Sequence, residues 1–512
     1  MTLTRREALL LGMGVLVAST GCADKTPGRV AGTTPAGTTA PPAPSTSTPG
    51  QAGPSWSQLA KHVDGILARP GSPAYEQARL TENPRYDGEE PLAVLRVAGA
   101  ADVATAFRFA QDHDLPVAIR SGGHSYPGWS AGAGRLVLDC RQLAGVSMSG
   151  TVATIGAGAA LAPVYAAVAA RGRALPAGSC ATVGIAGLTL GGGVGVLTRA
   201  LGLTCDSVSA MQVVTADGRT RTVDASHDPD LFWALRGGGG GHLGVVTSFR
   251  FRTTAAPQLQ TFYLSWPISA ATQVIEAWQS WGPAADVRLW STLKVLGGAT
   301  HPSGPTVVLA GTWTGPGEPD LSGLLTHCPR PSAHTTTPRS YAAAMNAYAG
   351  CLSIPVSRCH TGPGGDLQRE AFGATSHVAY RPLTAPGIST LLDRVSDADS
   401  TGLKEAGLSM DLLGGRVREL SPGATAFVHR DALMTVQYTA TFTGTRASVA
   451  DGFVRGFRSA MTPYWDDHAY VNYADASLKD PAQAYFGANA RRLAGVRRTY
   501  DPDRFFTQPQ GY

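Results

Sequence analysis

An α+β fold built from two unlike units is predicted for this chain, on three observations. Short buried runs alternate with amphipathic helices between about residues 75 and 258. From 259 to 460 the strand-like runs lengthen and helices punctuate them, the pattern of an antiparallel sheet covered by helices. From 461 to 512 aromatics and asparagines accumulate without strand alternation. At 512 residues the chain exceeds one ordinary domain. Its 43% hydrophobic and 15% charged content supplies large cores and excludes a disordered or coiled-coil chain. The net charge of +5 is spread without a Lys/Arg block, which argues against a nucleic-acid surface.

The first 22 residues read as an export signal: Arg5 and Arg6, an apolar stretch over 8–18, and small residues at Ser19, Thr20 and Gly21 before Cys22. That stretch is shorter than the roughly 20 residues a membrane-spanning helix needs. Thr4 to Leu9 resembles a twin-arginine signal, a route for folded proteins. Gly21 and Cys22 resemble a bacterial lipoprotein box, which would anchor the chain to a membrane through lipid on Cys22. Ser19 stands where a larger aliphatic residue is usual, so a plain secretory signal is the other reading. Residues 23–54, almost wholly Thr, Pro, Ala, Gly and Ser, form a spacer with too little apolar surface to offset its ordering entropy.

In the first unit, Val103, Ala106, Phe107 and Ala110 recur at helical spacing and predict a helix over 102–113. A buried strand follows at 116–119, then a tight loop of Arg120, Ser121, Gly122, Gly123, His124 and Ser125. Strands are predicted at 136–139, 152–155, 209–215 and 244–252, with an Ala-rich helix over 161–170. The second unit shows strands at 306–313, 408–413 and 433–441 and a helix over 269–280. Cys351 and Cys359, eight apart in a Pro-containing loop, are candidates for a disulfide in an oxidising compartment, a pairing that sequence leaves open. No cysteine or histidine cluster has zinc spacing.

Gly239, Gly241 and Gly244 fit the spacing of a dinucleotide fingerprint, but they follow a helix and lead into a strand, the reverse of what that motif needs. A Rossmann site is excluded. Three other segments belong together. The paired glycines at 122 and 123 let successive N–H groups turn inward as an anion nest. The stretch from Gly178 through Cys180, Thr182, Val183, Gly184 and Gly187 to Gly192 and Gly195 lets backbone lie against a flat ligand. The third segment holds Tyr470, Asn472 and Tyr473.

Over residues 75–512 the sequence resembles the FAD-linked oxidases of the vanillyl-alcohol oxidase superfamily, and within it the berberine bridge enzyme-like group. The motifs are R-S-G-G-H-S at 120–125, G-S-C-A-T-V-G at 178–184, L-G-G-G-V-G at 190–195, G-V-V-T-S-F at 244–249 and Y-V-N-Y at 470–473. The resemblance implies a PCMH-type FAD-binding domain of two α/β subdomains over 75–258. A substrate domain over 259–460 and a C-terminal segment over 461–512 that returns to the FAD domain would follow it.

It further implies covalent FAD, with His124 on the flavin 8α-methyl and Cys180 on C6. Arg120, Ser121, Gly122, Gly123, Ser125, Thr182, Val183, Gly184, Gly187, Gly192, Gly195, Val246 and Asn472 would surround the cofactor. Tyr473 would be the base, with its phenol lowered from a reference value near ~10. Gln437 would orient substrate, and Tyr438 is a second candidate. His429 and Arg430 read as structural. Val183 flanks the oxygen-reactive face and favours molecular oxygen as acceptor, giving peroxide. His242 and Leu243 depart from the Asn-Phe expected before Gly244. The competing readings are a dehydrogenase with another acceptor and an exported ligand-binding lipoprotein on an inactive scaffold.

Overall fold

The computed structural model describes residues 54–512. The export signal, Cys22 and nearly all of the 23–54 spacer lie outside the described residues. The predicted α+β class is what the chain adopts, with helices and four sheets combined.

Two small sheets build the first unit. Strands Ile66–Ala68, Ala93–Arg96, Leu136–Asp139 and Val117–Arg120 form one, in that order. Its last three strands run parallel, because helix Ala100–Asp112 carries the chain back across the sheet before it re-enters at Val117. That helix buries Val103, Ala106, Phe107 and Ala110, the predicted face. The second sheet has five strands in the order Val146–Ser149, Val152–Gly156, Val245–Arg252, Val208–Val214, Thr220–Val223. All its pairs are antiparallel. One core joins both sheets and also takes in Tyr485, Phe486, Leu493, Val496 and Phe506 from the C-terminal segment.

The second unit is one antiparallel sheet of seven strands, ordered Ala333–Ser340, Gln258–Pro267, Thr306–Trp313, Leu289–Gly297, Glu405–Leu412, Met434–Phe442, Ala371–Ala379. Side chains alternate across a strand, and the alternation here divides two jobs. Leu293 and Val295, Leu408 and Met410, Val436 and Tyr438 point into a core beneath helices Ala271–Ala284, Ala385–Asp397 and Ala447–Trp465. Trp266, Trp278 and Trp465 are almost wholly buried there, each contributing on the order of 2–3 kcal/mol by the area it removes from water. The intervening residues face the first unit.

Three arginines, two of them buried, fasten the units together. Arg199 donates to the carbonyls of Leu289, Leu413 and Ala285 at 2.7, 2.6 and 2.7 Å. Arg430 makes a bidentate pair with Asp206, both contacts 2.8 Å, and Arg85 does the same with Asp451. Arg430 is thus structural, as its sequence suggested. His429 is likewise buried, between the Tyr380 hydroxyl and the Ala469 carbonyl.

Candidate active site

Between the two units lies a cavity of ≈ 390 Å³, within the range of small-molecule sites. Its floor is glycine-rich backbone of the first unit, and its roof is the inward face of the seven-stranded sheet. The floor holds Ser121 to Ser125, Cys180, Val183, Gly184, Gly187, Gly195 and Val246. The roof supplies Trp290, Thr292, Lys294, Ser409, Asp411, Gln437 and Thr439, and Asn472 and Tyr473 close one side.

The two loops meant to carry the attachment points are pressed backbone to backbone. A Cβ on Gly122 would collide with the Gly184 and Thr182 main chain, and one on Gly184 with Ser121 and Gly122. This contact brings His124 and Cys180 to one cavity. His124 Nε2 lies 2.9 Å from the Thr182 hydroxyl, which fixes the ring. Thr182 itself does not line the cavity, so it acts through His124. Burial pushes the His124 imidazole below its usual value and keeps it neutral, a direction that the Glu82 carboxylate opposes. Burial also raises the Cys180 thiol, while Ser179 and Lys294 pull it down. Gly187 has open space where its side chain would be.

Besides Thr182, three expected residues sit elsewhere. Arg120 is fully buried behind its loop, donating to the Ser130, Ala78 and Ala131 carbonyls. It braces the nest and does not reach the cavity. Gly192 packs on the Phe427 ring, away from the cavity lining. Tyr438 follows Gln437 on a strand, so it must face the opposite side. Its hydroxyl meets His377 Nδ1 at 2.8 Å within the helix-covered core.

Tyr473 ends a short 3-10 turn, Val471–Tyr473, held where Ser376 donates to its carbonyl. Tyr470 beside it accepts from the Gly193 and Val194 amides at 3.0 and 3.2 Å. Asn472 donates to that same hydroxyl and to the Leu188 carbonyl, both at 2.9 Å. The C-terminal motif is thereby locked to the glycine run. The protein's own groups act on the Tyr473 phenol in the direction opposite to the lowering that the resemblance implies. Burial pushes it well above 10, and Asp411, Tyr126, Tyr470 and Cys180 all act in the same direction.

The site also contains residues that sequence reasoning missed. Tyr126 stacks on Tyr473 and accepts from the Gln437 amide. Asp411 and Lys294 emerge from neighbouring strands, with Thr292 directly across from Asp411. Burial raises the Asp411 carboxyl, and Thr292 and Lys294 oppose that rise. A polar residue flanked by buried ones in a strand was the available signal.

The residues fit FAD. The floor offers backbone amides rather than cations to a diphosphate, the glycines admit a flat ring, and His124 and Cys180 supply two nucleophiles. The ring nitrogen Nδ1 of His242, buried at the cavity edge, has no hydrogen-bond partner among the described residues.

Comparisons with known proteins agree. Residues 91–224 match the FAD binding domain family, and residues 469–511 match the berberine and berberine-like family. An uncharacterized FAD-linked oxidoreductase of Bacillus subtilis, YgaK, is 31% identical over 87% of this chain and 96% of its own. Chitooligosaccharide oxidase of Gibberella zeae is 28% identical over 82% of this chain and 87% of its own. Among solved structures, glucooligosaccharide oxidase of Acremonium strictum superposes with a TM-score of 0.77 at 25% identity, covering 89% of this chain and 99% of that one. Its flavin is described as 6-S-cysteinyl, 8α-N1-histidyl FAD.

Proposed function

The chain belongs to the berberine bridge enzyme-like FAD-linked oxidoreductases, and within that family we propose that it is an oxidase holding FAD through His124 and Cys180. It takes a hydride from an alcohol carbon of a carbohydrate and passes the electrons to molecular oxygen, producing hydrogen peroxide. One observation carries the reading: His124 and Cys180 open into a single cavity whose roof is a hydrogen-bonding surface edged by Tyr126 and Tyr473.

Bound FAD supplies the two-electron acceptor, and the chain's own residues do the rest. With Nε2 engaged by Thr182, the neutral His124 ring has Nδ1 left for a bond to the cofactor. Thr292, Ser409, Gln437 and Thr439 offer the alternating donors and acceptors that sugar hydroxyls need, while Trp290 and Tyr126 offer flat apolar faces. Orientation over the acceptor supplies much of the rate. Tyr473 receives the substrate hydroxyl proton. Because its phenol is held high and already carries a proton, it accepts the substrate proton only as its own leaves toward Asp411, whose raised carboxyl is a better base than an ordinary aspartate. The chitooligosaccharide and glucooligosaccharide oxidases support an oligosaccharide as donor. Val183 at the floor supports oxygen as acceptor, and the leader over residues 1–22 supports export.

Acid precipitation tests the attachment. Flavin colour should stay with wild-type protein and with each of His124→Ala and Cys180→Ala, and leave the double variant. A peroxide assay over an oligosaccharide panel tests the reaction. Flavin reduction without peroxide would make the protein a dehydrogenase, and no reduction by any sugar removes the carbohydrate assignment. A protein isolated without flavin would return the reading to a ligand-binding scaffold.

A further inference from the structure

Lys294 is the only lysine or arginine among the described residues lining the cavity. It projects from the roof strand Leu289–Gly297, across from Ser409. Cys180 enters the same cavity from the other unit. We propose that Lys294 is the positioning residue that activates the Cys180 thiol for covalent attachment, which rests on the double-attachment reading above.

A thiolate, not a thiol, is the nucleophile, and this site opposes thiolate formation. Burial and the Glu82 carboxylate both raise Cys180. Tyr126, Tyr165 and Tyr473 lie close enough to feel its charge, and their hydroxyls are pushed up and neutral. His124 is neutral as well. Two groups oppose that rise, Ser179 through a hydrogen bond and Lys294 through its positive charge. Burial lowers the Lys294 ammonium, and Asp411, Glu405 and Cys180 itself oppose that fall. Lys294 belongs to the roof and Cys180 to the floor, so the charge acts on the sulfur across the cavity shared by the two units.

The step balances with oxygen as co-reactant. The Cys180 sulfur bonds flavin C6, the C6–H bond breaks, its proton goes to solvent, and the electron pair reduces the isoalloxazine. Dioxygen removes that pair with two protons as hydrogen peroxide, leaving oxidised, thioether-linked cofactor.

The test is peptide mass mapping of the full chain as isolated, in wild type, Lys294→Met and Lys294→Arg. The expected result is that the Met variant carries flavin on His124 alone at neutral pH, with Cys180 open to alkylation. Incubation at about pH 9.5 in air then forms the thioether, since each pH unit raises the thiolate fraction of an un-ionised thiol about tenfold. The Arg variant keeps the wild-type linkage. A Met variant fully thioether-linked at neutral pH overturns the proposal, and so does a free Cys180 that alkali does not couple. Wild type lacking the thioether would instead remove the double-attachment reading on which the proposal stands.

Discussion

The rings of Tyr126 and Tyr473 lie 5.5 Å apart with their planes 7° from parallel. Tyr126 comes two residues after His124, in the floor loop, whereas Tyr473 belongs to the C-terminal motif. The stack therefore joins the attachment loop to the proposed proton acceptor. Gln437 reaches down from the roof to the Tyr126 hydroxyl, so three separate parts of the chain fix one phenol.

Tyr473→Phe keeps the stack and removes the hydroxyl. Anaerobic flavin reduction by substrate should slow by about 10²–10⁴-fold, the usual weight of a lost acid–base group, with little change in KM. Tyr126→Leu should instead raise KM as well, because it frees the Tyr473 ring. The negative charge of Asp411 raises Tyr473, so Asp411→Asn should move the alkaline limb of the pH–rate profile to lower pH while lowering the rate near neutrality.

Acid should destabilise the fold through buried histidines. Burial pushes His242 and His429 down to about 3, whereas in the unfolded chain each takes up a proton near ~6.5. Between those values the unfolded state binds the extra protons, so stability falls as pH drops through that window, by about 1.4 kcal/mol per unit for each histidine. Thermal melts from pH 7 to 4 should show this slope, and His242→Asn should make it shallower.

The Cys351–Cys359 disulfide packs with Ala162 and Ala181 directly behind the Cys180 loop. Replacing both cysteines by serine should cost about 2–3 kcal/mol for a loop this short, read as a lower melting temperature. Cys180 should also alkylate faster in a Cys180-unlinked preparation, since its backing is loosened.

Val183→Leu should leave substrate reduction of the flavin intact and slow its reoxidation by air about tenfold or more, equivalent to about 1.4 kcal/mol of barrier. Stopped-flow measurement of the two half-reactions separates them. Equal slowing of both would mean that the larger side chain disturbs the cofactor rather than the path of oxygen.

Much of this was legible because it is local. The helix over 102–113 follows from four apolar positions, and strand Thr306–Trp313 falls where the sequence placed it. The two loops of the cavity floor could be read because paired glycines and a cysteine in a fixed order leave a mark in one dimension. Tyr438 failed because a strand turns successive residues to opposite faces, and one sequence does not say which face is covered. Arg120 reads as a cationic loop residue until the parallel sheet sets it beside Asp139. Lys294 and Asp411, more than a hundred residues apart, become neighbours only through strand pairing. Strand Leu289–Gly297 itself escaped notice, since it is buried nearly throughout and shows no clean alternation.

The division of the cavity between floor and roof bears on how such a protein can change. The residues proposed to fasten the cofactor lie in loops of the first unit, where a single added methyl between residues 122 and 184 collides with backbone. What greets the substrate hangs from every second residue of strands whose other face is already packed. A lineage can therefore swap the side chains of the roof, a few at a time, and sample new substrates while its redox engine stays inherited unchanged. Diversity of diet with constancy of chemistry is the expected signature in descendants of such an ancestor.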